Sequence, residues 1–425
     1  MKGRWRRVFW AVEALFLAAR GRGAGRGGEP RKWLILGYAA IGDTIFLLPV
    51  LEALRRRYPR AHLAFFCTRT QITAELLPAF GLVDEIIEPE QDWPDASAAE
   101  RRLWADRLSR ENYDAALLNL SAPAHFFQPA LISIPVRVGH CQRLVPPRHL
   151  GGFQALAWKL KRALVIGELS RRLLLTHKAW IQPDGEHVVR RNMRLLESLG
   201  LELEPLPRPP RIPLPEPARE KVGRLLGSCP GRKRVGIHLG LADNPYFKIW
   251  DAARFGVLCR LLEQSGAVEC FFLGSREEQA SVAAARRAAG REILSLVGCC
   301  SLIETFAAIA RCDLLISNDT GLAKAAMALG VPTATIWGPS SSAELGIIWE
   351  PEKHLEISSG LACSPCIHAG MARARAGIDY LNCGHHDCLR GLTAETVFAA
   401  LRRKYPFLTP APPADSSSRP DGPPA

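Results

Sequence analysis

Short apolar runs, each followed by a helical pattern, recur along the chain in two series, and this alternation constrains the fold more than any other feature. The first series runs 33–37, 62–68, 85–88, 114–120 and 136–140; the second runs 234–240, 268–274, 293–298, 314–317 and 333–338. Amphipathic stretches such as 44–58, 252–264 and 301–310 lie between them. Strands that alternate with helices predict a parallel sheet covered on both faces. Between the series, residues 203–218 carry seven prolines in sixteen positions, which reads as a stiff, extended connection. The expectation is an α/β chain with two doubly wound domains, 33–202 and 219–408, joined by the linker 203–218. A basic segment, 1–32, precedes them, and a Pro/Ser-rich tail without fixed structure, 409–425, follows. Doubly wound sheets bind ligands at the carboxyl ends of their strands, so two facing sheets make a cleft with one ligand on each wall.

Charge is distributed unevenly. The chain carries a net +13, and residues 1–32 hold nine Lys/Arg against two Glu. There Trp5, Val8, Phe9, Val12, Leu15 and Phe16 fall at helical spacing, flanked by Arg4, Arg6, Arg7 and Arg20. The apolar stretch is too short and, with Glu13, too charged to span a bilayer. A basic amphipathic helix on an anionic membrane surface fits it; the alternative is a helix packed on the protein or no fixed structure. No nucleic-acid module follows, so no nucleic-acid partner is expected. The twelve cysteines are scattered and no signal peptide is evident, which predicts free thiols in a reducing cytosol. The expected location is therefore cytoplasmic, peripheral on the inner membrane.

The most informative motif is Leu314-Leu315-Ile316-Ser317-Asn318-Asp319-Thr320-Gly321, followed by an Ala-rich helix that stops at Gly330. Strand, polar turn and helix form an anion site, because the free N–H groups of the first helical turn and the helix dipole both point at the ligand. Asp319 and Thr320 are the side-chain candidates, and Gly321 allows close backbone approach. An ordinary capped helix is the alternative.

The first strand of the chain leads into Gly37-Tyr38-Ala39-Ala40-Ile41-Gly42-Asp43-Thr44. This is neither a triphosphate P-loop nor a dinucleotide fingerprint. It places Asp43 at a helix N-terminus at the mouth of the cleft, as a cap or as a general base whose pKa the helix end lowers. Pro49 should kink that helix. In the second half, Asn244 and Lys248 follow a strand's carboxyl end, and the loop Gly274-Ser275-Arg276-Glu277-Glu278 offers a carboxylate for ribose hydroxyls or for a helix start.

Four blocks in order resemble glycosyltransferase family 9, the heptosyltransferases of lipopolysaccharide synthesis. They are Ile35-Leu36-Gly37 through Ile41-Gly42-Asp43-Thr44; the Gly240 loop to Lys248-Ile249-Trp250; Ser317 to Gly321 with Trp337-Gly338-Pro339-Ser340; and Cys363-Ser364-Pro365-Cys366 with Cys388-Leu389. The resemblance spans roughly 33–400. It implies a GT-B fold and an inverting, metal-independent transfer from a nucleotide diphosphate-sugar, with ADP-heptose as donor and a lipid-linked saccharide, the lipid A inner core, as acceptor. By the same resemblance, Asp43 matches the base, and Gly42 stands beside it in the first block. Lys248, Thr320 and Gly321 match phosphate-binding positions, Asp319 and Asn244 line the donor pocket, and Glu277 or Glu278 takes the ribose role. One departure stands out: Lys324 occupies a place where many members carry His. A different nucleotide-sugar or acceptor, or a catalytically idle nucleotide-binding homologue, are the alternatives. Finally, Cys363, Cys366, Cys383 and Cys388 form C-x2-C-x16-C-x4-C, near a zinc-ribbon spacing, with a loop of free thiols as the alternative to structural zinc. No cofactor is expected at the reacting centre.

Overall fold

A computed structural model of the protein describes residues 28–37, 40–67, 75–89, 97–119, 133–142, 151–154, 156–157, 168–181, 185–204, 206–240, 248–367 and 383–408. The basic segment's helical pattern, the Pro/Ser-rich tail and Asn244 lie outside these residues. Among the described residues, no helix is long and apolar enough to cross a membrane.

The strands form two six-stranded sheets in which every described pair is parallel. The first contains β1 (Lys32–Leu36), β2 (His62–Phe66), β3 (Glu85–Ile87), β4 (Ala115–Leu118), β5 (Val136–Gln142) and β6 (His177–Ile181), in the order β3-β2-β1-β4-β5-β6. The second contains β7 (Lys233–His238), β8 (Val268–Phe272), β9 (Leu294–Ser295), β10 (Leu314–Asn318), β11 (Thr333–Trp337) and β12 (Leu355–Ser358), in the order β12-β11-β10-β7-β8-β9. Read from β9, the second order repeats the first. Both reverse direction between their first and fourth strands, and ligands settle at such switch points. The ten predicted runs are the ten strands β1 to β5 and β7 to β11; β6 and β12 were not anticipated. They are edge strands whose residues are only partly buried, as in His177-Lys178-Ala179-Trp180-Ile181, so they lack the continuous apolar run of a central parallel strand.

The helix Ile41–Arg57 runs unbroken through Pro49 and buries nine residues, from Thr44 to Leu54. It packs against the helix Val188–Glu197 of its own half and the helix Gly321–Ala328 of the other. One apolar cluster accordingly joins Ile45, Phe46 and Leu48 to Phe306, Leu322, Ala325 and Met327 across the halves. Polar contacts reinforce this junction. Arg191 and Glu344, both buried, pair at 3.5 Å, the Gly185 N–H donates to Glu344 at 3.2 Å, and the Trp349 indole N–H donates to the Pro207 carbonyl at 3.0 Å. The switch points of the two sheets are thereby held face to face.

Candidate active site

Beyond β1, Asp43 is the third residue of its helix; the cap position belongs to Ala40, which offers no side-chain acceptor. Asp43 therefore is not the cap. Its side chain is exposed to the cleft, yet the surrounding protein disfavours its charge and raises its pKa above the ordinary carboxylate value. Lys248 and Lys324 pull the value down, and Asp319 pushes it up. The sequence alone predicted a lowered value from the helix end; desolvation between two domains outweighs that dipole.

The Asp319 turn follows β10, with Thr320 at the cap of the helix Gly321–Ala328 and Gly330, at φ +71, just past its end. Thr320 makes no capping bond of its own. Gly321 abuts the first domain: a Cβ placed there would lie 2.6 Å from Ile41 Cβ and 3.0 Å from the Gly42 N. Gly42 in turn would meet Gly321 Cα at 3.5 Å and Lys324 Cγ at 3.7 Å. Two helix N-termini, one from each domain, thus converge on the same spot.

Around that spot lie two carboxylates and two lysines. The Lys248 ammonium donates to Asp319 at 3.2 Å, and Lys324, itself buried, donates to the other Asp319 oxygen. Lys324 also stands over the Trp337 ring, 5.0 Å from its centroid, a cation–π arrangement. Burial alone would push the Asp319 carboxyl up, but Lys324 and Lys248 together hold it well below the usual carboxylate range. Lys324 therefore completes an ion pair inside the protein, a role no sequence pattern announced.

A second polar group sits directly behind Thr320. β7 and β10 pair in a register that sets His238 beside Ser317. His238 Nδ1 lies 2.9 Å from Thr320 Oγ1 and 3.1 Å from Ser317 Oγ, while Nε2 faces Glu278 at 3.3 Å. Glu278 also accepts the Gly240 N–H at 2.9 Å and the Ser275 N–H at 3.1 Å. Burial works against its charge, but His238 and these N–H donors keep its pKa lowered. Glu278 is thus engaged on both oxygens, whereas its neighbour Glu277 is exposed. His238 escaped the sequence reading, although an imidazole at the end of the apolar run Val235-Gly236-Ile237 was a visible signal.

A cavity of about 500 Å³ opens beside these groups. Its lining includes Ser275, Glu277, Cys300, Leu302 and Thr305 together with His238, Thr320, Gly321 and Ile41. Its size suits a nucleotide. Asp43, Lys248, Asp319 and Lys324 are not in its lining; they form the charged cluster that adjoins it through Thr320 and Gly321.

The family description "Glycosyltransferase family 9 (heptosyltransferase)" matches residues 155–374. The chain belongs to glycosyltransferase family 9. It is a glycosyltransferase. Lipooligosaccharide heptosyltransferase 2 of Haemophilus ducreyi is 23% identical over 392 residues, 88% of this chain and 99% of that protein. Among solved structures, the family 9 glycosyltransferase of Veillonella parvula matches with a TM-score of 0.64 at 18% identity, covering 88% of this chain and 97% of the other. The E. coli ADP-heptose lps heptosyltransferase II matches with a TM-score of 0.61 at 19% identity, covering 88% and 98%. The fold is GT-B, as the two facing parallel sheets require.

The structural-zinc expectation rests on Cys363, Cys366, Cys383 and Cys388. Among the described residues, no three His, Cys, Asp or Glu stand where they could hold a metal ion. Cys363 and Cys366 lie in the loop after β12, and Cys388 lies in a short helix, Asp387–Arg390. Burial, reinforced by the neighbouring thiols, pushes Cys366 up and Cys388 up to about 11, and those neighbours are the other cysteines of the same set, Cys363 and Cys383 among them.

Proposed function

We propose that this enzyme moves a heptosyl group from ADP-heptose, with inversion, onto a lipid-linked saccharide of the lipopolysaccharide inner core. The observation that carries the reading is the meeting of Asp43 with the Thr320–Gly321 helix end and two lysines from the other domain. Inversion needs one in-line displacement. Asp43 takes the proton of the acceptor hydroxyl as its oxygen bonds to the anomeric carbon, and the bond from that carbon to the β-phosphate oxygen breaks on the far side. A raised pKa makes Asp43 a better base than an ordinary carboxylate. Lys248, Lys324 and the N–H groups at Thr320 and Gly321 stabilise the charge growing on the leaving diphosphate, the task a divalent metal performs in other transferases. Asp319 holds the two ammonium groups at the site, Gly42 lets the helix ends approach, and Glu277 reaches the ribose hydroxyls.

The same reading assigns the half before the proline-rich stretch 203–218 to the acceptor and the half after it to the donor. It places the enzyme in the cytoplasm, on the anionic inner face of the membrane through the basic segment 1–32. A related transferase with another nucleotide-sugar is the second reading, favoured by the lysine at 324 in a place where many relatives carry histidine.

Purified enzyme offered ADP-heptose, UDP-sugars and GDP-sugars should release nucleotide only from ADP-heptose, and equally in the presence of a chelator. Asp43→Asn should abolish transfer while still binding ADP. Turnover of a UDP- or GDP-sugar alone would overturn the donor assignment; full activity in Asp43→Asn would overturn the base.

A further inference from the structure

The connection between β5 and the helix Glu168–Leu174, residues 143–167, has no part in the mechanism so far. Its described residues, 151–154 and 156–157, are helical from 152 onward, and every one of them is exposed. Phe153 is 84% exposed and Leu156 54%; three positions apart, they share one face of that helix. A helix this short has little stability of its own in water and is normally held by burying its apolar face. Here that face turns away from the protein. The sequence continues the apolar spacing with Leu160 and Leu164 and sets Lys159, Lys161 and Arg162 between them, the pattern of a basic amphipathic helix.

Charge sorts the same way. No Asp or Glu occurs from Ala115 to Gly167, although the chain as a whole carries 42 in 425 residues, and five Lys/Arg stand between Gln142 and Glu168. At the root of the connection, Arg172 donates to the carbonyl of Gln142, the last residue of β5, at 3.0 Å. Its guanidinium also lies over the Trp180 ring of β6, 5.1 Å from the centroid, and Trp180 is itself 39% exposed. The carboxyl ends of parallel strands share one side of the sheet, so this root lies on the side where the Asp43 helix follows β1. One strand, β4, separates β1 from β5, a span of about 10 Å along the sheet.

We propose that this face lies on an anionic lipid surface: Phe153, Leu156 and Trp180 enter the headgroup layer, and Arg172 and the basic residues of 143–167 meet the lipid phosphates. Projecting apolar side chains beside unbalanced positive charge are what such a surface takes up, and exposed Trp suits the boundary between headgroups and water. The contact is separate from the basic segment 1–32. It rests on the reading of the acceptor as lipid-linked, and it sets the membrane against the acceptor side of the cleft, where Asp43 awaits the hydroxyl.

The test uses the full chain with vesicles of phosphatidylcholine alone and of phosphatidylcholine mixed with phosphatidylglycerol. Amide hydrogen exchange across 151–157 should slow on the anionic vesicles and not on the neutral ones. Phe153→Ser with Leu156→Ser should bind the anionic vesicles ~10- to 100-fold more weakly, the range for leaving one or two apolar side chains of this size in water. Both side chains are exposed, so the unfolding midpoint and the affinity for ADP should not move. Transfer to the inner core on lipid A in those vesicles should fall with the binding, while transfer to the same saccharide freed of its acyl chains should stay at the wild-type rate. A double variant that binds anionic vesicles as wild type does, or exchange across 151–157 that is indifferent to them, overturns the proposal. So does exchange that slows with protein concentration in the absence of lipid, which makes a second copy of the chain the occupant. A wild type that binds the vesicles through 151–157 but transfers to neither acceptor overturns the functional reading instead.

Discussion

Gly321→Ala probes the junction of the two domains with one methyl group. Gly321 is not in the left-handed region, so alanine carries no backbone strain there, and the whole effect comes from what the new Cβ meets. It meets Ile41 Cβ at 2.6 Å and Ile41 Cγ2 and the Gly42 N at 3.0 Å, all fixed by the first turn of the Asp43 helix. Real Cβ contacts do not come so close, so the two helix ends must separate by several tenths of an ångström or more. Overpacking of this kind costs about 1–3 kcal/mol, which thermal unfolding would register. Activity should fall further than stability, since a displacement of about 1 Å between reacting groups costs ~100-fold. Asp43 and the phosphate site ride on the two helices that are forced apart. The assay is kcat/KM for transfer beside the affinity for ADP. Transfer should drop steeply while ADP, which the proposed function seats on the second domain, binds nearly as before. Ile41→Gly removes the Cβ at 2.6 Å and should restore part of the loss in the double variant. A Gly321→Ala enzyme with wild-type transfer would refute the idea that this contact sets the spacing of base and leaving group.

Three further perturbations test the charges. Lys248 lowers the Asp43 pKa, so Lys248→Met should move the acidic limb of the kcat/KM profile to higher pH; a limb that stays or moves down contradicts Asp43 as the base. Asp319 has a lowered folded-state pKa, so its stabilising contribution is present above the unfolded value and disappears as pH falls through the folded one. Asp319→Asn should thus destabilise by about 3–5 kcal/mol at neutral pH by leaving Lys324 buried and unpaired. That gap should narrow in acid below about pH 3.9, as denaturant titrations at several pH values would show. Glu277→Gln should erase the preference for ADP over its 2′,3′-dideoxy analogue without changing the unfolding midpoint, whereas Glu278→Gln should lower the midpoint.

Most of the framework was legible because central parallel strands announce themselves as apolar runs, and all ten predicted runs lie in the two sheets. Of the four edge strands, β3 and β9 lay in short apolar runs, whereas β6 and β12 did not, because the exposed and half-buried positions of those two carry charged and polar residues that break the pattern. The site divides the same way. Gly321, Thr320, Asp319, Lys248 and Asp43 come together because each lies just beyond a strand that ends at a switch point, a property that local sequence encodes. What sequence could not supply is which partner a side chain chooses across the sheet. His238 and Ser317 are 79 positions apart and meet only because β7 pairs with β10 in one register. Glu277 and Glu278 are adjacent in sequence but opposite in fate, one exposed and one locked under His238, and only the turn of the short helix Arg276–Glu278 decides between them.

Lys324 changes meaning between sequence and structure. From the sequence, it is a substitute for histidine that weakens the case for a familiar donor. In the fold it is the buried partner of Asp319, seated over Trp337. Within the cluster of Asp43, Asp319, Lys248 and Lys324 the two carboxylates are pushed in opposite directions, Asp43 up by burial and Asp319 down by the two ammonium groups. If a diphosphate draws on these lysines, as the proposed function has it, their pull on Asp43 weakens, and Asp43 becomes a stronger base once the donor is bound.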